Sequence, residues 1–426
     1  MNASADSDVP PSTEVVVIGG GVAGVTTAYY LAMAGVPVVL CEKGSVAGEQ
    51  SSRNWGWIRK QRRDPRELPA ITQALRLWEE IADRAPDIGW HIGGVTSLAE
   101  TDQDLEGFEQ WLEHARNHQI DSRMLSSSET DQLLGQSGRR FKGALTTPSD
   151  ARAEPALAVP AIAGMAREHG AVVLERCAVR TLIMEAGRVS GVVTEHGPIA
   201  CNTVVLAGGA WSRMMMRHLG LDLPQLQVKA SVQRSTPAPL ITESAIGSRR
   251  AAIRRRADGG YNITRTGATT FHITPSAFRH FRSFLPVAMR EFSRIKMRFG
   301  RPFFEELTTS VRWRADEVTP FEKTRMLDPE PDHALLDDVL AAAKDLYPQL
   351  RDISSADRWA GMIDVMPDEL PVLGPVASHP GLLIATGFSG HGFGSGPVAG
   401  HAMASLAQGK TLLFDLHDFR LERFVT

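Results

Sequence analysis

The sequence contains few cysteines, three in 426 residues. Cys41, Cys177 and Cys201 lie far apart, and each adjoins apolar, strand-like sequence. An odd number of widely separated cysteines does not suit a disulfide framework or a cysteine-rich metal site. We therefore expect buried thiols, no bound metal and a reducing compartment, for which the cytoplasm is the default.

Long apolar runs and an excess of one charge are also absent from the sequence. No uncharged apolar run approaches the roughly 18 residues of a membrane-spanning helix. Lysine and arginine together number 46, against 49 aspartates and glutamates, so the charge balance does not indicate nucleic acid as a partner. Residues 1–13 are polar, contain proline and lack the pattern of a signal peptide, which predicts a flexible tail.

A dinucleotide-binding pattern occupies residues 15–42. An apolar, β-branched run at 15–18 predicts a buried strand, a helical segment follows at 22–34, and a second apolar run ends at Glu42. Between the first strand and the helix, three glycines have G-x-G-x-x-G spacing: Gly19, Gly21 and Gly24. Such glycines allow a tight turn, close approach to a pyrophosphate and helix–strand packing, and the acid accepts hydrogen bonds from ribose hydroxyls. An ordinary tight turn would not require these elements in this order.

Two later segments also place a glycine-rich loop directly after a predicted strand. Residues 203–206 lead into the loop 207–212, and residues 382–386 lead into the loop 387–397. The sequence has no second G-x-G-x-x-G unit for a nicotinamide nucleotide, so the three loops predict one extended dinucleotide, FAD. Because the loops are far apart in sequence, the FAD-binding domain must be discontinuous, with the segment 225–355 inserted between its parts.

The predicted fold class is α/β, in which a discontinuous Rossmann-like FAD-binding domain carries an inserted α+β substrate domain built on a mostly antiparallel sheet. We assign residues 14–90, 148–222 and 356–426 to the FAD-binding domain. We assign residues 91–147 and 223–355 to the substrate-binding domain.

Residues 276–299 predict a single basic helix that carries five phenylalanines: Phe278, Phe281, Phe284, Phe292 and Phe299. Apolar periodicity usually marks packing within a domain, and we favour that interpretation. The alternative is an amphipathic helix that makes peripheral contact with a membrane surface.

The glycine segments at 16–24, 207–212 and 387–393 resemble those of the FAD-dependent amine and amino-acid oxidoreductases, the family that includes glycine oxidase, sarcosine oxidase and D-amino-acid dehydrogenase. Over about residues 14–426 the chain is closer still to the bacterial L-amino-acid deaminases. Further segments match the deaminase pattern: 48–53, Arg254 with 257–259, 319–322 and 368–371. The resemblance implies a reaction in which the carbon next to a neutral amine gives a hydride to flavin N5, after which the imine hydrolyses to a keto acid or aldehyde.

The resemblance also implies roles for individual residues. Arg254 matches the arginine that pairs with the substrate carboxylate in the deaminases, Arg265 is the next candidate, and Gln50 is a third candidate catalytic residue. An exposed basic turn is the alternative interpretation of residues 249–256. The arginine that binds the carboxylate in the glycine-oxidase branch is absent, because residues 362–364 read Met-Ile-Asp.

The flavin is expected to be bound without a covalent bond. This chain has Gly361 and Ser52 at the positions where some relatives attach the flavin to a cysteine or a histidine. The candidate cofactor-binding residues belong to the glycine loops and the segments beside them: Gly19, Gly21, Val22, Ala23, Gly24, Glu42, Lys43, Gln50, Ser51, Ser52, Arg53, Val179, Ala207, Gly208, Trp211, Gly387, Gly390, His391, Gly392, Phe393 and Gly394.

The same cofactor site is compatible with two other functions. One is a flavin monooxygenase that uses NAD(P)H, and the other is a flavoprotein subunit of a heteromeric amine dehydrogenase that docks through residues 276–299. The sequence leaves open which small amine or amino acid is the substrate, its L or D configuration, and the oligomeric state. The electron acceptor could be oxygen, a quinone or a flavoprotein.

Overall fold

The computed structural model of the protein describes residues 9–135, 137–291 and 295–424. Residues 1–8 of the predicted tail, and Phe292 of the predicted basic helix, lie outside the described residues. The remainder of the predicted tail is ordered by backbone hydrogen bonds to strand Gly197–Ala200, since Thr13 N–H donates to the Ala200 carbonyl at 2.9 Å. In the described part of the chain, every helix is too short or too polar to cross a lipid bilayer.

A six-stranded sheet forms the first half of the molecule. Its strands, in spatial order, are Val372–Pro375, Leu382–Thr386, Thr203–Leu206, Val15–Ile18, Val38–Cys41 and Val172–Leu174. All neighbours pair in parallel except the first two strands, which are antiparallel. The parallel strands bury both faces, which explains why their sequences are continuous apolar runs.

Alternate residues of these strands enter two separate cores. Val15 and Val17 pack with the helices Val22–Met33, Pro155–Glu168 and Gly392–Ala407 on one face. The intervening residues pack on the other face against a three-stranded antiparallel sheet: Val179–Glu185, Arg188–Thr194 and Gly197–Ala200. Successive side chains thus point to opposite faces of the sheet, as expected along a β-strand.

A ten-stranded sheet forms the second half of the molecule, and most of its strand pairs are antiparallel. Its strands are Val95–Ala99, Arg123–Ser126, Gly143–Thr147, Leu226–Ser235, Ala245–Gly247, Ala252–Arg255, Tyr261–Thr264, Thr269–His272, Ile295–Arg298 and Ser355–Val365. Strand Ser355–Val365 pairs with Leu226–Ser235 along its whole length. Residues from 356 onward are assigned to the FAD-binding domain on the sequence alone. Strand Ser355–Val365 belongs instead to the ten-stranded sheet, which corrects that boundary.

The remaining elements are short or cover the two sheets. The further helices are Gln50–Arg53, Leu68–Arg84, Asp102–Asn117, Ser127–Leu134, Ser212–His218, Pro275–Arg279, Phe281–Glu291, Arg301–Thr308, Pro320–Lys323 and His333–Leu346. A small antiparallel pair joins Trp57–Ile58 to Ala151–Arg152. The prediction of one helix over 276–299 is wrong, because two helices are followed by strand Ile295–Arg298, which pairs with Thr269–His272 at the sheet edge.

Candidate active site

A cavity of about 770 Å³ lies where the six-stranded and ten-stranded sheets meet. Residues of all three predicted glycine loops line it, together with most of the helix Gln50–Arg53. Strands Leu226–Ser235, Thr269–His272 and Ser355–Val365 supply much of the opposite wall. The structure thus brings distant glycine segments to one volume, as the sequence predicts.

The first glycine loop is packed so closely that only glycine fits. A Cβ atom on Gly19, whose φ is +111°, would lie 2.4 Å from the carbonyl oxygen of Ala207 in the second loop. A Cβ atom on Gly24 would lie 1.9 Å from the carbonyl oxygen of Gly19. Helix Val22–Met33 starts here without a capping side chain of its own, and its Val22 N–H donates to Ser51 Oγ at 2.9 Å. A helix N-terminus of this kind favours an anionic group such as a phosphate.

Glu42 lies in the cavity wall at the end of strand Val38–Cys41. One carboxylate oxygen accepts from Gly20 N–H at 2.6 Å and the other from Gly44 N–H at 2.7 Å. Burial raises the pKa of Glu42, although both hydrogen bonds oppose the shift. Each oxygen retains a lone pair, so the carboxylate can still accept from the hydroxyls of a ribose.

Lys43 and Arg53 line the cavity, but their charges already have partners within the protein. Lys43 Nζ lies 2.8 Å from Glu49 Oε1, which also accepts from Trp211 Nε1 at 3.0 Å. Arg53 Nη1 donates to Asp328 Oδ1 at 2.6 Å. Both cations therefore shape the loop beside the helix Gln50–Arg53, and their predicted contact with the cofactor stays a prediction.

The other candidate cofactor-binding residues divide into two groups. The following line the cavity: Gly19, Gly21, Val22, Ala23, Gln50, Ser51, Val179, Ala207, Gly208, Trp211, Gly390, His391, Gly392, Phe393 and Gly394. Gly24, Ser52 and Gly387 lie outside the wall. Gly24 packs helix against strand, Ser52 Oγ donates to the Glu49 carbonyl at 3.3 Å, and Gly387 N–H donates to Asp364.

Asp364 connects the second and third glycine loops. Its Oδ2 accepts from Gly387 N–H at 2.8 Å and from Gln225 Nε2 at 2.9 Å, and the same Nε2 lies 3.2 Å from the Gly209 carbonyl oxygen. Asp364 is 2% exposed, and burial raises its pKa. In the sequence this position attracted notice only because an arginine is absent there, so its structural role could not be foreseen.

Arg254 does not face the cavity, which corrects the role that the resemblance implies for it. Its Nη1 and Nη2 donate to Oε1 and Oε2 of Glu154 at 2.7 and 3.1 Å, and the residue is 1% exposed. The alternative of a fully solvated basic turn over 249–256 is also wrong, because Arg254 lies in strand Ala252–Arg255 and is buried. Both donor groups that could grip a substrate carboxylate are used by Glu154.

Two other arginines offer a positive charge to the cavity. Arg265, a predicted candidate, lines the wall and donates its Nε to the Arg250 carbonyl at 3.2 Å. Arg59, which no sequence signal singled out, lines the wall and donates Nη1 to the Gln61 carbonyl. Among the described residues, no carboxylate oxygen lies within 4.0 Å of either guanidinium. Gln50 also lines the wall, and its Oε1 lies 3.5 Å from the backbone nitrogen of Asp364.

Much of the cavity wall away from the glycine loops is aromatic or aliphatic. These residues include Trp55, Trp57, Val228, Val232, Phe271, Phe278, Phe281, Phe284, Leu285, Ile295 and Met297. The rings of Trp55 and Trp57 meet edge to face, with centroids 5.5 Å apart. A cavity with one polar, glycine-lined part and one apolar part suits a long ligand together with a smaller apolar molecule.

The residues present fit FAD. The N-terminus of helix Val22–Met33, which has no capping side chain on its own N-cap residue, suits the pyrophosphate. The partly buried Glu42 carboxylate suits an adenosine ribose. The loops 207–212 and 387–397 bring backbone close to the remaining, distal part of the same ligand.

Comparison with known proteins agrees with this geometry. The family model described as DAO, FAD dependent oxidoreductase, matches residues 14–406. Glycine oxidase of Pseudomonas aeruginosa is 27% identical over 413 residues, covering 95% of this chain and 97% of that protein. The solved structure of L-amino acid deaminase from Proteus myxofaciens in complex with anthranilate has a TM-score of 0.95 and 29% identity, covering 99% of this chain and 95% of that one. L-amino acid deaminase from Proteus vulgaris has a TM-score of 0.94 and 29% identity, covering 98% and 99%.

The predicted fold class, cofactor and family are thereby confirmed. The matched region contains all three glycine loops, and the deaminase structures align with nearly the whole chain. The chain belongs to the DAO family of FAD-dependent oxidoreductases, the amino-acid and amine oxidoreductases that its motifs predict.

Proposed function

We propose that the protein oxidises the carbon–nitrogen bond of an amino acid with a large apolar side chain, giving an imine that hydrolyses to a keto acid. FAD, when bound, accepts the hydride. In this proposal the six-stranded sheet and its helices hold the cofactor, and the ten-stranded sheet supplies the substrate pocket. The protein's contribution is to bind the amino acid in one orientation and to keep water from the reacting carbon.

The observation that carries the proposal is the pair of arginines at the cavity wall. Arg59 and Arg265 present guanidinium groups without a carboxylate within 4.0 Å among the described residues. A half-buried cation of this kind is stabilised by an anionic ligand, and a guanidinium matches a carboxylate in shape. These two residues, rather than Arg254, are our candidates for binding the substrate carboxylate.

The apolar wall supports the second part of the proposal. Aromatic side chains such as Trp57, Phe271 and Phe284 surround a volume that a charged substrate side chain could occupy only at a high desolvation cost. A phenylalanine or leucine side chain would instead bury apolar surface there. We therefore expect apolar amino acids to be oxidised in preference to glutamate or lysine.

The test is anaerobic bleaching of the flavin absorption band of purified protein. We expect bleaching by one enantiomer of phenylalanine and release of ammonia and phenylpyruvate on reoxidation. Phenethylamine, which lacks the carboxylate, and alanine, which lacks the apolar side chain, are matched controls that should react more slowly. If phenylalanine, leucine and other amino acids all leave the flavin oxidised, the proposal fails. Bleaching by NADPH alone would instead identify a monooxygenase.

Oxygen, a quinone or a second flavoprotein could reoxidise the cofactor, and comparing oxygen uptake with reduction of an artificial quinone would separate the first two. We propose the cytoplasm because Cys41, Cys177 and Cys201 are all free and buried, as expected in a reducing compartment. Turnover by the isolated chain would exclude an obligatory partner subunit.

A further inference from the structure

His391 stands at the cavity wall directly before helix Gly392–Ala407. Its Nδ1 atom is sealed from solvent and lies 3.4 Å from Oε2 of Glu67, while 26% of the side chain remains exposed. Among the described residues, Nδ1 has no partner in full hydrogen-bond geometry, and the carboxylate of Glu67 is the one ion-pair contact it makes. The exposed part of the imidazole is therefore the part that faces the cavity.

Glu67 is a buried carboxylate held between positive groups. It immediately precedes helix Leu68–Arg84, whose N-terminus favours a negative charge. Arg63, which is also buried, places Nη1 4.0 Å from Glu67 Oε1. Burial by itself would raise the pKa of Glu67, but the pKa is lowered overall, and with a neutral imidazole the main causes that remain are the charge of Arg63 and the contact with His391. Glu67 is therefore ionised at neutral pH.

The contact with an ionised carboxylate decides which imidazole nitrogen carries the proton. A carboxylate only accepts hydrogen bonds, so a proton on Nδ1 of His391 can be donated to Glu67. The other tautomer would direct a nitrogen lone pair at the carboxylate and leave a buried polar atom without a partner, which is unfavourable. Because the proton is on Nδ1, Nε2 keeps a lone pair that can accept a hydrogen bond.

The imidazole is also kept neutral. Burial lowers the pKa of His391 to about 4, and the charges of Arg63 and, to a smaller extent, Arg59 act in the same direction. Glu67 opposes the shift without reversing it. At neutral pH His391 thus carries one proton.

We propose that Glu67 and Arg63 are positioning residues that hold His391 as a neutral imidazole, so that its Nε2 accepts a hydrogen bond from an N–H group of a molecule bound in the cavity. Two occupants carry such a group: the oxidised flavin, through its one ring N–H, and the amine of the substrate. The substrate alternative rests on the proposed function, whereas the flavin alternative rests only on the family's cofactor.

The first experiment reads the tautomer itself in the FAD-loaded protein. Long-range ¹H–¹⁵N spectra of protein labelled at histidine, with His391 assigned from the H391Q variant, should show Nδ1 protonated and Nε2 unprotonated between pH 6 and 8. Glu67→Gln should convert His391 to a mixture of tautomers, and Glu67→Asp, which retains the charge, should preserve the wild-type form. Glu79→Gln, an exposed change on the helix Leu68–Arg84 that Glu67 precedes, is the matched control and should alter nothing. A protonated Nε2 in the wild type, or an unchanged spectrum in the Glu67→Gln protein, would overturn the proposal.

The second experiment identifies the N–H donor. If the donor is the flavin, His391→Gln should weaken FAD binding to apoprotein by about 2- to 12-fold and shift the flavin absorption band. If the donor is the substrate amine, FAD binding stays unchanged, and the same loss appears in the apparent dissociation constant of phenylalanine obtained from the concentration dependence of the rate of anaerobic flavin bleaching. Binding of 3-phenylpropanoate, which lacks the amine, should then be unchanged. No change in either measurement would refute the proposal. Because the tautomer and FAD binding are measured without turnover, a failure of the proposed amino-acid oxidation would be recognised separately.

Discussion

The guanidinium of Arg254 and the carboxylate of Glu154 form a two-point ion pair, with Nη1–Oε1 at 2.7 Å and Nη2–Oε2 at 3.1 Å. Both side chains are buried, and Glu154 Oε1 also accepts from Ala257 N–H at 3.0 Å. A Cβ atom on Gly56 would lie 3.1 Å from the Arg254 guanidinium carbon, so the pair packs beneath the segment that carries Trp55 and Trp57. The arginine thus supports the cavity wall from behind.

Replacement of Arg254 should therefore reduce stability more than it affects substrate recognition. Arg254→Met removes both short ion-pair contacts of the buried Glu154 carboxylate and leaves it only the longer ion-pair contact with Arg256, whose Nη1 lies 3.6 Å from Oε2. We expect the free energy of unfolding to fall by about 3 kcal/mol. Urea denaturation of the FAD-saturated protein measures this change. Arg250→Met, which breaks an exposed ion pair with Asp345, is the matched control and should cost less than about 1 kcal/mol. If the Arg254→Met variant were as stable as the wild type but bound substrate more weakly, Arg254 would have to be assigned to the substrate site.

Arg265 should contribute to binding of the substrate carboxylate. Arg265→Met removes a charged hydrogen-bond donor, which corresponds to a loss of about 1.5–3 kcal/mol and a rise in KM of roughly 10- to 150-fold. Steady-state kinetics with phenylalanine measures KM, and a FAD titration should give the wild-type dissociation constant. Phenethylamine is the internal control, because a substrate without the carboxylate should not distinguish the variant from the wild type. Arg59→Met is tested in the same way, and unchanged KM in both variants would exclude these arginines as the carboxylate site.

Gly24 should tolerate no side chain. Gly24→Ala places a methyl group against the carbonyl oxygen of Gly19, so the first glycine loop must shift, at a cost of about 1–3 kcal/mol. We expect lower stability and weaker FAD binding, measured by thermal unfolding and by flavin fluorescence. Gly164→Ala in helix Pro155–Glu168 meets no atom within 4 Å and should instead be stabilising by about 0.5–1 kcal/mol. Normal FAD binding by Gly24→Ala would contradict the packing assigned to the third glycine.

His391 should make stability dependent on mildly acidic pH. The unfolded imidazole takes up a proton near its ordinary pKa of 6.5, whereas the folded one does so only near pH 4. As the pH falls between these values, the unfolded state binds a proton that the folded state does not, so stability falls by at most about 1.4 kcal/mol per pH unit. This component is absent above pH 6.5 and complete below pH 4.

The measurement compares the free energy of unfolding of wild type and His391→Gln between pH 4.5 and 6.5. The wild type should lose stability more steeply than the variant as the pH falls. His417→Gln, a substitution at an exposed histidine, should retain the wild-type slope. Identical slopes for wild type and His391→Gln would show that His391 is readily protonated in the folded protein.

The sequence by itself determined the cofactor-binding half of the protein. The β-branched run Val15–Ile18, the glycine spacing after it and the acid at Glu42 are local patterns with few structural solutions, because a tight turn, a close backbone approach and an uncapped helix start each require particular residues. The later glycine loops follow strands for the same reason, so three distant segments predicted one dinucleotide. The parallel sheet alone was enough to predict that the three loops meet at one cavity, and no other long-range packing had to be known.

Only the tertiary structure decided which charges remain available in the cavity. Arg254 and Arg265 both lie in or beside strands of the same sheet. The sequence around them does not reveal that Glu154, 100 residues away from Arg254, neutralises Arg254 and leaves Arg265 without a carboxylate partner among the described residues. Glu67 approaches His391 because two helix N-termini pack side by side, and strand Ile295–Arg298 replaces a helical pattern because a sheet edge was open to it. Partners of this kind depend on the long-range packing of the chain, which local residue patterns do not encode.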